Sequence, residues 1–115
     1  MGLEETKERN VYVPILKQTP LFRTLTDDEI LALLAHCVKR SYAAGETILT
    51  EGETGNSMLI IVEGSVDYSK GLLELGSDTD GAFFGEIALL AEGIGKRQAT
   101  VKATKDCVLL EIYQP

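Results

Sequence analysis

The sequence is poor in the residues with which proteins usually bind metals or form disulfide frameworks. Among 115 residues there are one histidine and two cysteines. Two cysteines do not make a disulfide framework, so we interpret Cys37 and Cys107 as small, partly buried apolar residues in a reducing cytoplasm. His36 and Cys37 are adjacent within a predicted helix and cannot face the same ion. We therefore predict no metal, and we interpret His36 as a surface or half-buried residue.

Positive charge is also scarce. The chain has 11 Lys and Arg against 18 Asp and Glu, a formal net charge of −7. Proteins that contact nucleic acids usually carry a basic patch or stripe, so we expect no direct contact with nucleic acid. A run of about 18 apolar residues, which a membrane helix needs, is missing as well. The chain is expected to be cytoplasmic, and only a parent channel or transporter would link it to a membrane.

Length and pattern indicate a single domain over residues 1–115, with an N-terminal helical segment at 1–40 and a β-roll at 41–112. Pro14 and Pro20 interrupt "VPILKQTPLF", which predicts short helical pieces and turns rather than one long helix. Thr26 and Glu29 have the spacing of a capping box, and apolar residues then recur at helical spacing. This pattern predicts an amphipathic helix over residues 27–38.

After residue 40 the pattern changes to short β-branched runs separated by glycines. The segments "ETILTEG", "SMLIIVEGSVDY", "LLELG", "QATVKAT" and "CVLLEI" predict strands, and "SDTDG" predicts a polar turn. Many short strands at regular spacing indicate a closed or sandwiched β structure, for which a jelly roll is the usual outcome. The expected fold class is mainly β.

The segment "FFGEIALLAEGIGKRQATV", residues 83–101, has groups that suit an anionic ligand. Gly85 allows a backbone to approach a ligand closely. If residues 86–90 form a short helix, its first N–H groups are unpaired and offer an anion site. Arg97 would close this site with a bidentate clamp on phosphate oxygens, and Glu86 would accept a hydrogen bond from a sugar hydroxyl. The alternative for Arg97 is an ordinary surface arginine at the start of a strand.

The cassette "FGEIALL", Arg97 and "ATV" together resemble the phosphate-binding cassette of cyclic nucleotide-binding domains. That family includes kinase regulatory subunits, nucleotide-gated channels and catabolite-activator-type transcription factors. The resemblance extends to "PLFRTLTDDEILALL" and "AGETILTEGETGNSMLIIVEGSV" and covers about residues 14–112. It implies an eight-stranded jelly-roll β-sandwich with flanking N-terminal helices, a short phosphate-binding helix, and cAMP or cGMP held in the roll.

The resemblance also implies roles for individual residues. Arg97 would hold the exocyclic phosphate oxygens, and Glu86 would bind the ribose 2′-hydroxyl. Gly85 and Ala88 would make close backbone contacts, and Ala99 would line the phosphate side. The full set expected to bind the cyclic nucleotide is Phe84, Gly85, Glu86, Ile87, Ala88, Arg97, Gln98 and Ala99.

Three features depart from the family pattern. The stretch from Glu86 to Arg97 is longer than the compact form, and Lys96 replaces the usual proline. Gln98 stands where Thr, Ser or Ala is usual; because its amide both donates and accepts hydrogen bonds, the choice between cAMP and cGMP stays open. The family's C-terminal lid helix, which covers the base, is expected to be absent from a chain that stops at Pro115.

Three functional hypotheses follow. The first is a regulatory module that binds a cyclic nucleotide and acts on an output domain outside this segment, such as an ion channel or kinase, or on a homo-oligomer partner. The second is a degenerate interaction domain that keeps the fold and binds no nucleotide. The third is a jelly-roll enzyme, against which the single histidine and the missing nucleophile-elbow spacing both count. We expect no catalysis.

Overall fold

A computed structural model describes residues 6–20, 22–85 and 96–113 of the chain. These residues form two helices followed by eight strands. The helices are α1 (Thr6–Lys17) and α2 (Asp27–Leu34). The strands are β1 (Cys37–Tyr42), β2 (Thr47–Leu49), β3 (Ser57–Glu63), β4 (Ser65–Lys70), β5 (Leu73–Thr79), β6 (Phe83–Phe84), β7 (Thr100–Ala103) and β8 (Cys107–Tyr113).

The strands form two antiparallel four-stranded sheets, in the orders β1-β8-β3-β6 and β2-β7-β4-β5. One apolar cluster fills the space between the sheets, and a second lies between the first sheet and the helices. Strand β3 is buried on both faces for this reason, and its sequence is a continuous apolar run rather than an alternating one. The expected fold class, a mainly β sandwich with flanking N-terminal helices, is confirmed.

Helix α1 is a single helix of 12 residues, and the expectation of short pieces broken at Pro14 was wrong. A proline inside a helix removes one hydrogen bond and costs about 3 kcal/mol. Here Pro14 is exposed, whereas Tyr12, Val13 and Leu16 are buried at helical spacing. Burial of a large apolar side chain contributes about 1.5–3 kcal/mol, so these three residues together offset the proline.

Helix α2 begins with the predicted capping box. Thr26 Oγ1 accepts from the backbone N–H of Glu29 at 3.1 Å, and Glu29 accepts from the backbone N–H of Thr26 at 2.9 Å. The helix ends at Leu34 rather than at residue 38, because Cys37 and Val38 pair with β8 in strand β1. His36 therefore follows the helix and is exposed.

Both cysteines are free, and both are fully buried rather than partly buried as expected. The strands predicted from "SMLIIVEGSVDY" and "CVLLEI" are β3, β4 and β8. The polar turn predicted at "SDTDG" was wrong, since Ser77 to Thr79 continue β5 and pair with β4, and only Asp80 and Gly81 turn. Within the described residues, no helix has the length and apolar character needed to cross a membrane.

Candidate ligand-binding site

The loop between β2 and β3 fixes the backbone of Arg97. Lys96 forms an isolated antiparallel bridge with Thr54. The N–H of Arg97 donates to the carbonyl of Glu53 at 2.8 Å, and the carbonyl of Arg97 accepts from the N–H of Gly52 at 2.9 Å. These bonds hold Arg97, three residues before the start of β7, against the glycine-containing turn "EGETG", so both backbone groups of Arg97 are used.

The side chain of Arg97 points inward. Only 7% of the residue is exposed. Its Nη1 donates to the backbone carbonyl of Ser57 at 2.7 Å, and its Nη2 donates to Ser57 Oγ at 2.8 Å. Arg97 is therefore not an ordinary surface arginine. It is a cation held inside an acidic chain by two neutral oxygen acceptors.

Two glycines make room for this guanidinium. A Cβ added to Gly55 would lie 2.2 Å from Nε and 2.4 Å from Cζ of Arg97. A Cβ added to Gly85 would lie 2.7 Å from Nη1 of Arg97 and 2.9 Å from the carbonyl of Ser57, and its φ of +88° is in the left-handed region. Gly85 thus has both reasons that favour glycine, a close approach and a backbone conformation rarely adopted by other residues.

Ser57 connects Arg97 to a carboxylate on β8. Ser57 Oγ donates to Glu111 Oε2 at 2.5 Å. The other carboxylate oxygen, Oε1, accepts from Arg40 Nε at 2.9 Å and from the Tyr113 hydroxyl at 3.0 Å. Arg40 Nη2 in turn donates to the Tyr113 hydroxyl at 2.7 Å. A continuous hydrogen-bonded network therefore runs from the buried Arg97 to the half-buried Arg40 and the exposed Tyr113.

Burial and the neighbouring charged or hydrogen-bonding groups shift the pKa values of Glu111 and Arg97 in opposite directions. Burial would raise the pKa of Glu111, but hydrogen bonds from Ser57, Arg40 and Tyr113 outweigh it, so the pKa of this carboxyl lies below its ordinary value. Burial lowers the pKa of Arg97, and the charge of Glu111 opposes that effect. Arginine stays protonated in proteins even when burial lowers its pKa, so Arg97 is a buried cation.

A cavity of about 280 Å³ lies beside this guanidinium, close to the lower end of the usual size range of ligand pockets. It is bounded by residues from both sheets. Five of the residues predicted from the sequence line it, namely Phe84, Gly85, Arg97, Gln98 and Ala99. Glu86, Ile87 and Ala88, and with them the helix predicted over 86–90, lie outside the described residues.

Sequence reasoning missed several residues of the site. Tyr68 of β4 lines the cavity and packs edge-on against Phe84, with ring centroids 6.0 Å apart. Leu49, Phe83 and Val101 add apolar wall, and Lys96 and Asp78 add charged groups. Ser57 and Glu111 were missed because each looks like one more residue of a strand. Gly55 carried a signal, since it stands in a glycine-containing turn, but a turn glycine does not indicate which side chain it meets.

The polar groups around the cavity include the cations Arg97 and Lys96, the amide of Gln98 and the carboxylate of Asp78. Gln98 is an exposed residue of the lining, and its Nε2 donates to the Lys96 carbonyl at 3.3 Å. In residues 6–20, 22–85 and 96–113, no three His, Cys, Asp or Glu side chains are grouped so that they could hold a metal.

The family model of the cyclic nucleotide-binding domain matches residues 39–115. The chain belongs to this family. A cAMP-dependent protein kinase regulatory subunit from Yarrowia lipolytica is 34% identical over 89 residues, covering 77% of this chain and 23% of that protein. A cyclic nucleotide-gated potassium channel from Rhizobium etli is 35% identical over 117 aligned positions, covering 97% of this chain and 32% of the channel.

A solved structure described as "cAMP bound PfPKA-R (141-441)" is similar as well, with a TM-score of 0.86 and 30% identity. The similarity covers 94% of this chain and 38% of that one. The chain therefore spans only about a quarter to a third of the length of the curated relatives named above.

Proposed function

We propose that this chain is the ligand-binding part of a regulatory protein, and that its cavity binds a cyclic nucleotide, cAMP or cGMP, through Arg97. One observation carries the proposal. Among the described residues the ion pairs are Lys17–Asp27 and Arg40–Glu111, and neither involves Arg97. A buried cation whose direct partners among the described residues are neutral oxygens is prepared for an anion that arrives from outside.

Charge and shape both favour a ligand that combines a phosphate with a flat apolar group. Arg97 and Lys96 supply positive charge at one part of the wall, and Tyr68, Phe84 and Val101 supply apolar and aromatic surface at another. A nucleotide has both halves. In the proposed complex Arg97 binds the phosphate oxygens, Gly85 makes a close backbone contact, Ala99 lines the phosphate side, and the base lies against the apolar wall.

The remaining roles rest on the sequence. Glu86 is proposed to bind the ribose 2′-hydroxyl, Ala88 to contribute a backbone contact, and Ile87 to complete the cassette. Gln98 lines the cavity and is proposed to face the base, where its amide hydrogen-bonds to either purine. The proposal therefore includes both cAMP and cGMP.

The fold offers a route by which binding could reach an output domain. Ser57, the partner of Arg97, precedes Met58, which packs with Leu110 and Ile112 against the buried faces of α1 and α2. We propose that ligand binding shifts these helices between two arrangements. A ligand shifts such an equilibrium only by its difference in affinity for the two states. The output domain, an oligomer partner and a cytoplasmic location belong to this proposal, as does the absence of catalysis.

Calorimetric titration of the protein with cAMP and with cGMP tests the proposal. Saturable binding of either nucleotide, with a rise in the midpoint of thermal unfolding, is the expected result. If millimolar concentrations of both give no heat and no thermal shift, the chain is instead an interaction domain that keeps the fold without the ligand.

A further inference from the structure

We infer that Glu111 is a positioning residue for Arg97, acting through the hydroxyl of Ser57, and that it sets the affinity of the cavity for an anionic ligand. This inference rests on the proposed function for its effect on affinity. Its structural part concerns hydrogen bonds within the protein and stands independently of any ligand.

The direction of every proton in the chain follows from the chemistry of its groups. A guanidinium only donates, so Arg97 occupies an acceptor position of Ser57 Oγ. The single hydroxyl proton of Ser57 must then be donated to Glu111, in agreement with the 2.5 Å distance between Ser57 Oγ and Glu111 Oε2. A carboxylate only accepts. Without Glu111, nothing among these groups would orient the hydroxyl with its lone pairs toward Arg97.

The strand register explains why Glu111 reaches both sides. Glu111 pairs with Leu59 on β3 and with Val38 on β1. Ser57 and Arg40 lie two residues along from these partners and are therefore diagonal neighbours of Glu111 on the same face of the sheet. The side chain of Glu111 is 13% exposed and that of Arg40 is 41% exposed. The carboxylate is thus enclosed between an outer cation and an inner one.

The arrangement alternates in charge. Arg40 neutralises Glu111, Glu111 faces Arg97 through one hydroxyl, and Arg97 faces the cavity. A ligand phosphate would add the next negative charge in the row. Because Arg40 already pairs with Glu111 directly at 2.9 Å, the carboxylate orients Arg97 without forming the direct contact that would exclude a ligand.

Nuclear magnetic resonance of the ligand-free protein tests the structural part. A guanidinium held at both Nη atoms gives separate Nη1 and Nη2 resonances, whereas a freely rotating one gives averaged resonances. We expect separate resonances for Arg97 in the wild type and in Glu111→Gln, whose side-chain oxygen still accepts from Ser57. We expect averaging in Glu111→Ala and Ser57→Ala. Averaged resonances in the wild type, or separate ones in both alanine variants, would overturn the inference.

Affinity for cAMP tests the functional part by calorimetry. Losing one intramolecular hydrogen bond corresponds to about two- to tenfold weaker binding, and we expect this loss in Glu111→Ala and in Ser57→Ala. The double variant should bind no more weakly than Ser57→Ala alone, because the two residues act in series. Glu111→Gln should stay within about twofold of the wild type. Additive losses, or no rescue by Gln, would contradict the inference.

Glu63→Ala is the matched control. Glu63 ends the strand that Ser57 begins, about 20 Å away at 3.3 Å per residue, and it is exposed. This variant should leave both the resonances and the affinity unchanged. If Glu111→Ala does not fold, Ser57→Ala makes the same test, since it interrupts the same chain and keeps the Arg40 pair. If the wild type binds cGMP and not cAMP, the same affinities are measured with cGMP; if it binds neither, the proposed function fails, and the resonances alone decide the inference.

Discussion

Replacing Gly55 by alanine is expected to displace Arg97 without removing any charged group. Gly55 is not among the glycines with a positive φ, so an alanine suits its backbone. Its Cβ, however, would lie 2.2 Å from Arg97 Nε, whereas real Cβ contacts are almost never under 3.0 Å. The guanidinium must therefore move by about 0.8 Å, from 2.2 Å to 3.0 Å.

Such a movement is large compared with the tolerance of the bonds from Arg97 to Ser57, which are 2.7 and 2.8 Å long. A hydrogen bond to a charged group contributes about 1.5–3 kcal/mol. Loss of one of the two should lower the free energy of unfolding by that amount. At roughly 4 °C per kcal/mol for a domain of this size, the midpoint should fall by about 6–12 °C. Affinity for a cyclic nucleotide should fall about tenfold or more.

The assay is thermal unfolding followed by circular dichroism, in a double-mutant cycle with Arg97→Ala. Without the guanidinium, the new methyl group of Gly55→Ala no longer meets these atoms. We expect the substitution to cost less than about 0.5 kcal/mol in that background, which is the usual limit of additivity for uncoupled sites. An equal cost in both backgrounds would refute the reasoning, because the effect would then arise from the turn itself and not from Arg97.

Three further predictions concern stability. Thr26→Ala should cost about 1 kcal/mol of unfolding free energy in urea, since it removes the N-cap of α2; a cost near zero would mean that the capping box contributes nothing. Burial raises the pKa of Cys37 from 9.0 to about 12. The contribution of this thiol to the free energy of unfolding should therefore be fully present below pH 9, and it should fall above pH 9, by about 2 kcal/mol at pH 10.5, because the unfolded chain loses the proton first. Cys37→Ala should show a smaller fall, and an identical alkaline slope would contradict this. The pKa of Glu111 is lowered on folding, so its contribution should be present above the ordinary value of 4.5 and be lost as the pH falls through the lower folded value. A wild-type acid slope no steeper than that of Glu111→Gln would count against it.

Local chemical patterns were the most predictable part of the fold. The capping box of Thr26 and Glu29 depends on residues three apart, and it formed as predicted. The apolar run of β3 was also visible, because residues buried on both faces leave a continuous apolar stretch. Where local preference and tertiary packing disagreed, packing decided. Pro14 favours a break, but the buried side chains around it keep α1 intact.

Strands without an apolar pattern could not be predicted from periodicity. β1 contains Lys39, Arg40 and Ser41, and its place in the sheet comes from pairing with β8, where Lys39 meets Leu110, 71 residues further along the chain. β5 is exposed along its whole length, and among the described residues it pairs only with β4. The segment "LLELG" predicted the start of β5 but not its continuation to Thr79, and the sequence of β1 carries no hydrophobic alternation that predicts its pairing with β8.

The residues of the site also fall into two groups, those that the sequence predicts and those that only the strand pairing brings in. Gly85 and Arg97 could be predicted because the cassette gathers them within a short stretch, and both line the cavity. Ser57 and Glu111 are 40 and 14 residues from Arg97, and only the strand order β8-β3 brings them together. Alternation predicts which face a strand residue occupies, but not which residue of another strand it meets.

The most direct test of the account is the affinity of Arg97→Ala for cAMP and cGMP by calorimetry, beside Lys102→Ala. Lys102 is an exposed residue of β7, so its substitution removes the same charge from the outer surface. Removing one partner of a desolvated charge pair costs about 2–5 kcal/mol. The account predicts binding weakened by roughly 30- to 3,000-fold in Arg97→Ala and by less than about threefold in Lys102→Ala. Equal affinities of Arg97→Ala and the wild type would contradict the assignment of the phosphate to Arg97.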